Sequence, residues 1–336
     1  MQRTTLDATI LETCVSAAVA APSIFNAQPW RFRLDPDTVA FEVRAAPGPG
    51  LRHTDPVGRA LHLSVGACVL NLRVAMEHFG WTPLTRLLPR PEDPDLLAAV
   101  RPTEPGPGTP DRPDTGLYDA IWRRHSSRFP YADVPLPDDV RTALSAAARA
   151  EGARLDFPGP ADTAALLDLT ARGERRSQRD ADRATESRRW VRRDPYRPGD
   201  TGLPPAAIGP QDARERVPMR DFTAQRRPER LAAVPFERHP VLALLSTEHD
   251  RRTDWLRAGQ ALERVLLVAT VHGVRASLLH QALEWPDLRD RTRAGAGPAG
   301  HAQMVLRLGY GPVGPDTPRR PLHEVTEYPP AGGGRR

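Results

Sequence analysis

Trp122–Phe129 reads WRRHSSRF, a short run with three arginines and two hydroxyls. Guanidinium forks grip phosphate oxygens in pairs, and serine hydroxyls add hydrogen bonds. Arg123, Arg124, Ser126 and Arg128 therefore suit an anion, without the glycine loop of a P-loop. The same residues suit an exposed basic stretch, and composition alone favours that reading, because all 47 basic residues of the chain are arginine. Upstream, Gly116–Arg124 has the pattern of a short helix. Downstream, Pro137–Arg149 reads as a second helix, opened by Pro137-Asp138-Asp139, where acids favour a helix N-terminus.

A second stretch, Ala21–Trp30 (APSIFNAQPW), lies between a helical pattern over residues 6–20 and a strand pattern over Gln28–Leu34. Ser23, Asn26 and Gln28 crowd three uncharged hydrogen-bonding groups into one turn behind Pro22. Such groups can read the carbonyl and imide edges of a planar ring. They can equally cap their own backbone, and spacing alone favours the cap.

The 336 residues suit about two domains at ~150 residues each. With 39% hydrophobic and 26% charged residues, the chain is neither a membrane protein nor fully disordered. No run approaches the ~18–20 apolar residues of a membrane span, and the apolar N-terminal stretch, broken by Glu12, Thr13 and Ser16, does not read as a signal peptide. The net charge of +5 comes from arginines spread among 42 acids. They lack the glycine or aromatic interleaving of a single-strand binder, so no nucleic-acid partner is expected. Cys14 and Cys68 cannot make a zinc site alone, and a reduced cytoplasmic protein is the expectation.

Residues 57–79 and Asp254–His272 read as long helices. They belong to a weak internal repeat, since Gly66–Gly80 is GACVLNLRVAMEHFG and Gly259–Gly273 is GQALERVLLVATVHG. Glycines fourteen apart bracket a small, apolar helix that needs close packing. Between the copies, residues 89–115 are proline-rich and read as a linker. Val39–Arg44, Leu84–Leu88, Val241–Ser246 and Gln303–Leu308 read as strands. Residues 161–193 read as charged helix, and 194–238 as irregular.

WRRHSSRF, with its preceding helix and the following PLPDDVRTALSAAARA, resembles the N-terminal motif of FMN-dependent nitroreductases. APSIFNAQPWRF resembles the motif after the first long helix of the same family. The resemblance implies an FMN lying across a subunit interface, with one motif supplied from each side. In this chain each motif occurs once, on different halves and in reversed order, so the halves together supply one complete flavin site. That pattern resembles the Acg-type branch, a fused pseudo-dimer, over Asp55–Gly80, Asp254–Gln281 and Met304–Gly311 as well. It implies an α+β fold of two tandem nitroreductase-like α/β units forming an intramolecular pseudo-dimer. The first half is expected over 1–110 and the second over 111–336, with a lid insertion around 155–238.

Carried over by position, the resemblance gives Pro22, Ser23, Asn26, Gln28, Arg123, Arg124, Ser126, Arg128, Gln281, Arg319 and Arg320 to the cofactor. Arg124 and Ser126 fall on the phosphate and ribityl groups, and Arg128 on the pyrimidine edge. Arg319 and Arg320 are further phosphate cations, or else a solvated tail. His280 and Gln281, and less so Ser277, lie beside flavin N5. Glu186–Pro204 resembles a lid near the flavin, with Trp190 and Tyr196 as apolar anchors, although a charged surface helix and loop fits the same residues.

The expected function is hydride transfer from NAD(P)H to FMN N5 and on to a small acceptor, a nitroaromatic or quinone, needing no side-chain nucleophile and no metal. An FMN storage protein under a closing lid, with little turnover, is the alternative. An internal pseudo-dimer favours a monomer. G-x-G-x-x-G occurs at 295–300 and 309–314, but neither stretch joins a strand to the start of a helical pattern, so NAD(P)H binding is expected to be transient, over the flavin.

Overall fold

The computed structural model describes residues 7–35, 40–46, 51–104, 115–191, 200–222, 232–292 and 300–327. In chain order the first part contains α1 (Ala8–Val19), β1 (Trp30–Asp35), β2 (Ala40–Ala45), α2 (Arg59–His78), β3 (Thr82–Leu87), β4 (Leu96–Thr103) and α3 (Leu117–Arg123). Next come α4 (Asp138–Ala150), β5 (Arg154–Asp156), α5 (Pro160–Arg179), α6 (Ala181–Arg189) and the two-residue strands β6 (Gln211–Asp212) and β7 (Ala233–Val234). The chain continues through β8 (Val241–Thr247), α7 (Arg252–Val271), β9 (Arg275–Leu278), α8 (Pro286–Thr292), β10 (His301–Gly309), α9 (Leu322–Val325) and β11 (Thr326–Glu327). A five-stranded sheet runs β11-β1-β2-β4-β3, and a four-stranded sheet runs β5-β8-β10-β9. Each sheet belongs with one of the two long helices, α2 or α7, as two α+β units require.

The long helices start and stop for local reasons. The Asp55 carboxylate accepts from the N–H groups of Ala60 and Leu61, which have no partner inside α2. Asp254 reaches back to accept from the N–H of Arg251 at the start of α7. Both helices end before a glycine in the left-handed region, Gly80 at φ 83° and Gly273 at φ 71°. The repeat's other two glycines meet at the crossing. A Cβ on Gly66 would stand 2.2 Å from the Leu256 carbonyl oxygen, and one on Gly259 would stand 2.1 Å from that of Leu63. Gly66→Ala is therefore expected to cost about 1–3 kcal/mol. A urea midpoint unchanged from wild type would contradict this close approach.

Core residues knit the two units together. Leu256 and Leu267 of α7 lie in the same apolar cluster as Trp30, Phe32 and Val69. Leu63 of α2 joins α4, α7 and the four-stranded sheet. Leu117, Ala120 and Ile121 of α3 fill the core of the first sheet, and β11 adds to that sheet parallel to β1, with Phe32 opposite Thr326. By length and composition α2 alone, among the described residues, could cross a membrane, yet 78% of its apolar window is buried inside the protein. It is a core helix.

One expectation is corrected here. Residues 89–115 are not all linker, because β4 occupies Leu96–Thr103 between β2 and β3, with Leu96, Leu97, Ala98 and Val100 buried. Proline is tolerated because pairing with β2 ends at Val100, whereas Pro102 lies beyond it, opposite Pro83.

Candidate functional site

The turn after α1 is held in an unusual conformation. Phe25, Asn26 and Gln28 have φ of 51°, 55° and 51°, a region that costs a residue with a side chain about 1–3 kcal/mol. Side-chain bonds hold them there. The Ser23 hydroxyl accepts from the N–H of Gln28 at 2.9 Å, and the Ser64 hydroxyl on α2 accepts from Ile24 at 3.2 Å. Asn26 Nδ2 donates to the carbonyls of Gly202 (3.1 Å) and Pro318 (2.9 Å). Gln28 donates to the carbonyl of Asp200 and accepts from the N–H of Arg320. The turn thus gathers segments about 175 and 290 residues away in sequence.

The WRRHSSRF loop approaches from the opposite side. A buried ion pair braces it. Arg307 of β10, with no exposed surface, donates twice to Glu237 and once to the carbonyl of Phe129. Glu237 in turn accepts from the N–H of Tyr131. Ser127 N–H donates to the carbonyl of Ala276, tying the loop to β9. Ser126 and Arg128 then face the turn.

Two adjoining cavities lie between these loops and share Pro22, Ser23, Ser126 and Arg128. The larger, about 560 Å³, runs along one face of α2 (Arg59, Ala60, Leu63, Ser64, Ala67) to Leu279, His280 and Trp285. That volume suits a ring-sized ligand. The smaller is lined by Asn26, Arg124, His125, Thr317 and Arg319. Arg124 and Arg319 both donate to the carbonyl of Ala20. The buried Nε of Arg319 has no hydrogen-bond partner among the described residues, and that of Arg124 faces the Glu263 carboxylate. Two converging guanidinium groups give this chamber a positive charge that can receive an anion. A ligand with an anionic end and a flat ring fits the pair of cavities.

Burial shapes the charges. Burial, with Arg124 beside it, pulls the Arg319 pKa down to about 10, and burial with Arg220 nearby does the same to Arg128. Both stay cationic at neutral pH. Glu263 of α7 has no exposed surface and lies 3.3 Å from Arg124 Nε. Burial pushes its carboxyl up to about 7 in spite of Arg124. Because its folded pKa lies above the unfolded one, its contribution favours folding at low pH and is lost as pH rises through about 7. Between pH 5 and 8 the wild type is therefore expected to lose stability relative to Glu263→Gln in parallel denaturant titrations. Identical pH profiles would contradict that placement.

No family model matches the sequence. Two Mycobacterium tuberculosis proteins bear the name "Putative NAD(P)H nitroreductase". One, distinguished as Rv3131, is 33% identical over 328 residues, covering 96% of this chain and 92% of that protein. The other, acg, is 30% identical over 331 residues, covering 97% of each. The chain belongs to the nitroreductase family, in its Acg branch. A solved nitroreductase with bound FMN from Desulfitobacterium hafniense aligns at 14% identity and a TM-score of 0.40, covering 62% of this chain and 96% of that one.

In this nitroreductase-family chain Pro22, Ser23, Asn26, Arg124, Ser126, Arg128 and Arg319 come together at the cavities, and His280 and Ser277 line the larger one. Four of the residues singled out by sequence line neither cavity. Arg123 is exposed, with its Nε on the Asp119 carbonyl. Gln281 is buried, donates to the carbonyl of Pro218 and packs its backbone against Gly173. Arg320 engages Gln28 through its main chain. Gln28 itself is buried and holds the turn from behind.

Trp190 packs against an apolar cluster of Phe25, Leu51, Leu203, Ile208 and Phe222 beside the larger cavity. Tyr196 lies outside the described residues. Gly209 backs directly onto Arg128, and Arg128 donates to the carbonyl of Ala207. Sequence reasoning missed His125, Thr317, Arg59, Arg220 and Glu284 at the cavities. His125 sits inside the recognised motif and was open to notice. The others have no local signal.

Proposed function

We propose that this chain is an FMN-dependent NAD(P)H oxidoreductase that binds one FMN between its two halves, acting as a cytoplasmic monomer. The observation that carries the reading is the convergence of Arg124 and Arg319, from distant parts of the chain, on a polar chamber opening into the larger cavity. Arg124, Arg319 and Ser126 hold the phosphate by charge-assisted and hydroxyl bonds. The Ser23 hydroxyl, its oxygen fixed by Gln28 N–H, donates from the first half. Arg128, on the wall shared by both cavities, would offer a cation to the ring of a bound flavin, which gains negative charge on reduction. Leu63, Ala67 and Met304 keep water off the ring. FMN, when bound, supplies the redox chemistry at N5, between NAD(P)H and a nitroaromatic, quinone or similar acceptor.

The segment 200–222 acts as a strap over the site, since Met219, Arg220 and Phe222 line the larger cavity and Phe222 meets Phe25 edge-on at 5.7 Å. The test is anaerobic addition of NADPH, then NADH, to the flavin-loaded protein. Bleaching of the flavin absorbance within ordinary turnover times supports the reading. A flavin that dithionite bleaches and neither nucleotide does contradicts it, and favours storage under a closed strap.

A further inference from the structure

Six arginines line the larger cavity, and four are paired with carboxylates. Arg176 pairs with Asp287, Arg183 and Arg220 with Glu284, and Arg289 with Asp250. Arg128 belongs to the flavin reading above. That leaves Arg59, at the first turn of α2 and 6% exposed. Its guanidinium donates only to neutral oxygens: the Gln303 carbonyl at 2.8 Å, Gln303 Oε1 at 3.3 Å and the Leu283 carbonyl at 3.4 Å. Among the described residues no carboxylate stands within ion-pair distance of it.

A buried guanidinium with no counter-ion is costly, and it persists where a ligand supplies the missing charge. The surroundings are built to keep Arg59 in place. Gln303 Nε2 donates to Thr247 and Asp250, which turns the amide oxygen towards Arg59 and Arg289. The charged groups around Arg59 come from several elements: Asp55 before α2, Asp250 before α7, Glu284 after β9, and Arg289 on α8. Burial and the repulsion of Arg289 lower its pKa to about 10, so it remains charged at neutral pH. The internal repeat supplies a control. Gly66 corresponds to Gly259, which sets Arg59 against Arg252, and Arg252 is exposed, donating to His62 and to the Pro94 carbonyl. Only one of the two equivalent arginines is turned into a cavity.

We propose that Arg59 is the anchor for a carboxylate on the second substrate, so that this cavity takes planar aromatic carboxylates in preference to their neutral counterparts. The walls agree with such a ligand, since Phe25, Leu63, Met219, Leu283 and Trp285 offer apolar surface beside Arg59. The ligand's role as second substrate rests on the oxidoreductase reading; the anion preference rests on Arg59.

Benzoate and benzamide, which differ in charge but hardly in shape, are the probes. Their binding to the flavin-loaded protein is read by calorimetry and by perturbation of the visible flavin band, with FMN content measured separately. Benzoate is expected to bind about tenfold or more tighter, as a charge-assisted bond requires. Arg59→Gln is expected to abolish that preference with FMN content unchanged, and Arg59→Lys to retain part of it. Equal binding of the two probes to wild type overturns the proposal without any variant. So does a preference that survives Arg59→Gln but is lost in Arg128→Gln. Failure of wild type to take up FMN overturns the oxidoreductase reading, and the second-substrate role with it, whatever benzoate does.

Discussion

An Arg124→Ala, Arg319→Ala double variant is expected to purify with little or no FMN. Each guanidinium offers a charge-assisted contact worth about 1.5–3 kcal/mol. The two lie close enough to share the Ala20 carbonyl as acceptor, so their effects are not simply additive. A loss of about a hundredfold or more in affinity is expected from the pair, read by fluorescence titration. Removal of Arg124 also strands Glu263, a carboxylate with no exposed surface whose ion-pair partner among the described residues is Arg124. A triple variant that adds Glu263→Gln separates folding from binding. It is expected to recover stability and to stay free of flavin. Ser23→Ala, which removes a neutral hydrogen bond, is expected to weaken FMN less than Arg124→Ala alone. Retention of full FMN content in the double variant would refute the phosphate site.

Arg307→Ala is expected to cost about 3–5 kcal/mol, since it leaves Glu237 buried without a counter-charge. The loss extends beyond stability. Arg307 donates to the Phe129 carbonyl and Glu237 accepts from Tyr131, so the pair fixes the end of the WRRHSSRF loop. The Arg307 guanidinium also lies 3.9 Å from the centre of the Tyr131 ring. Flavin content is expected to fall in the same variant. An Arg307→Met, Glu237→Leu replacement, which removes both charges together, is expected to regain part of the stability. A thermal midpoint for Arg307→Ala close to wild type would show that the pair does not brace the loop.

The parts of this site that were legible in sequence are those carried by contiguous residues. Pro22, Ser23 and Asn26 fall in one turn, and Arg124, Ser126 and Arg128 in one loop, so each motif can be read without knowing what it faces. The need of α2 and α7 for close packing was legible too, because glycines stand at matched positions in two apolar helices; that they pack on each other came from the fold. β4 was obscured by prolines, whose cost depends on which strand edge they occupy, a fact only the sheet order supplies. Arg59, Arg220, Glu284 and Arg307 were illegible for a different reason. In a chain where arginine is the sole strong base, one more arginine carries no signal until the fold shows what it meets. Arg59 finds Gln303 across 244 residues, and Arg307 finds Glu237 across 70. Gln281 and Arg123 err the other way: they stand next to site residues in sequence, and the backbone turns them elsewhere.

The most direct test of the account is the stoichiometry of FMN binding. Apoprotein titrated with FMN, followed by quenching of flavin fluorescence, is expected to saturate at one FMN per chain, with Arg124→Ala, Arg319→Ala removing that single site. Saturation at two per chain, or no quenching at all, would contradict a single flavin site shared between the two halves.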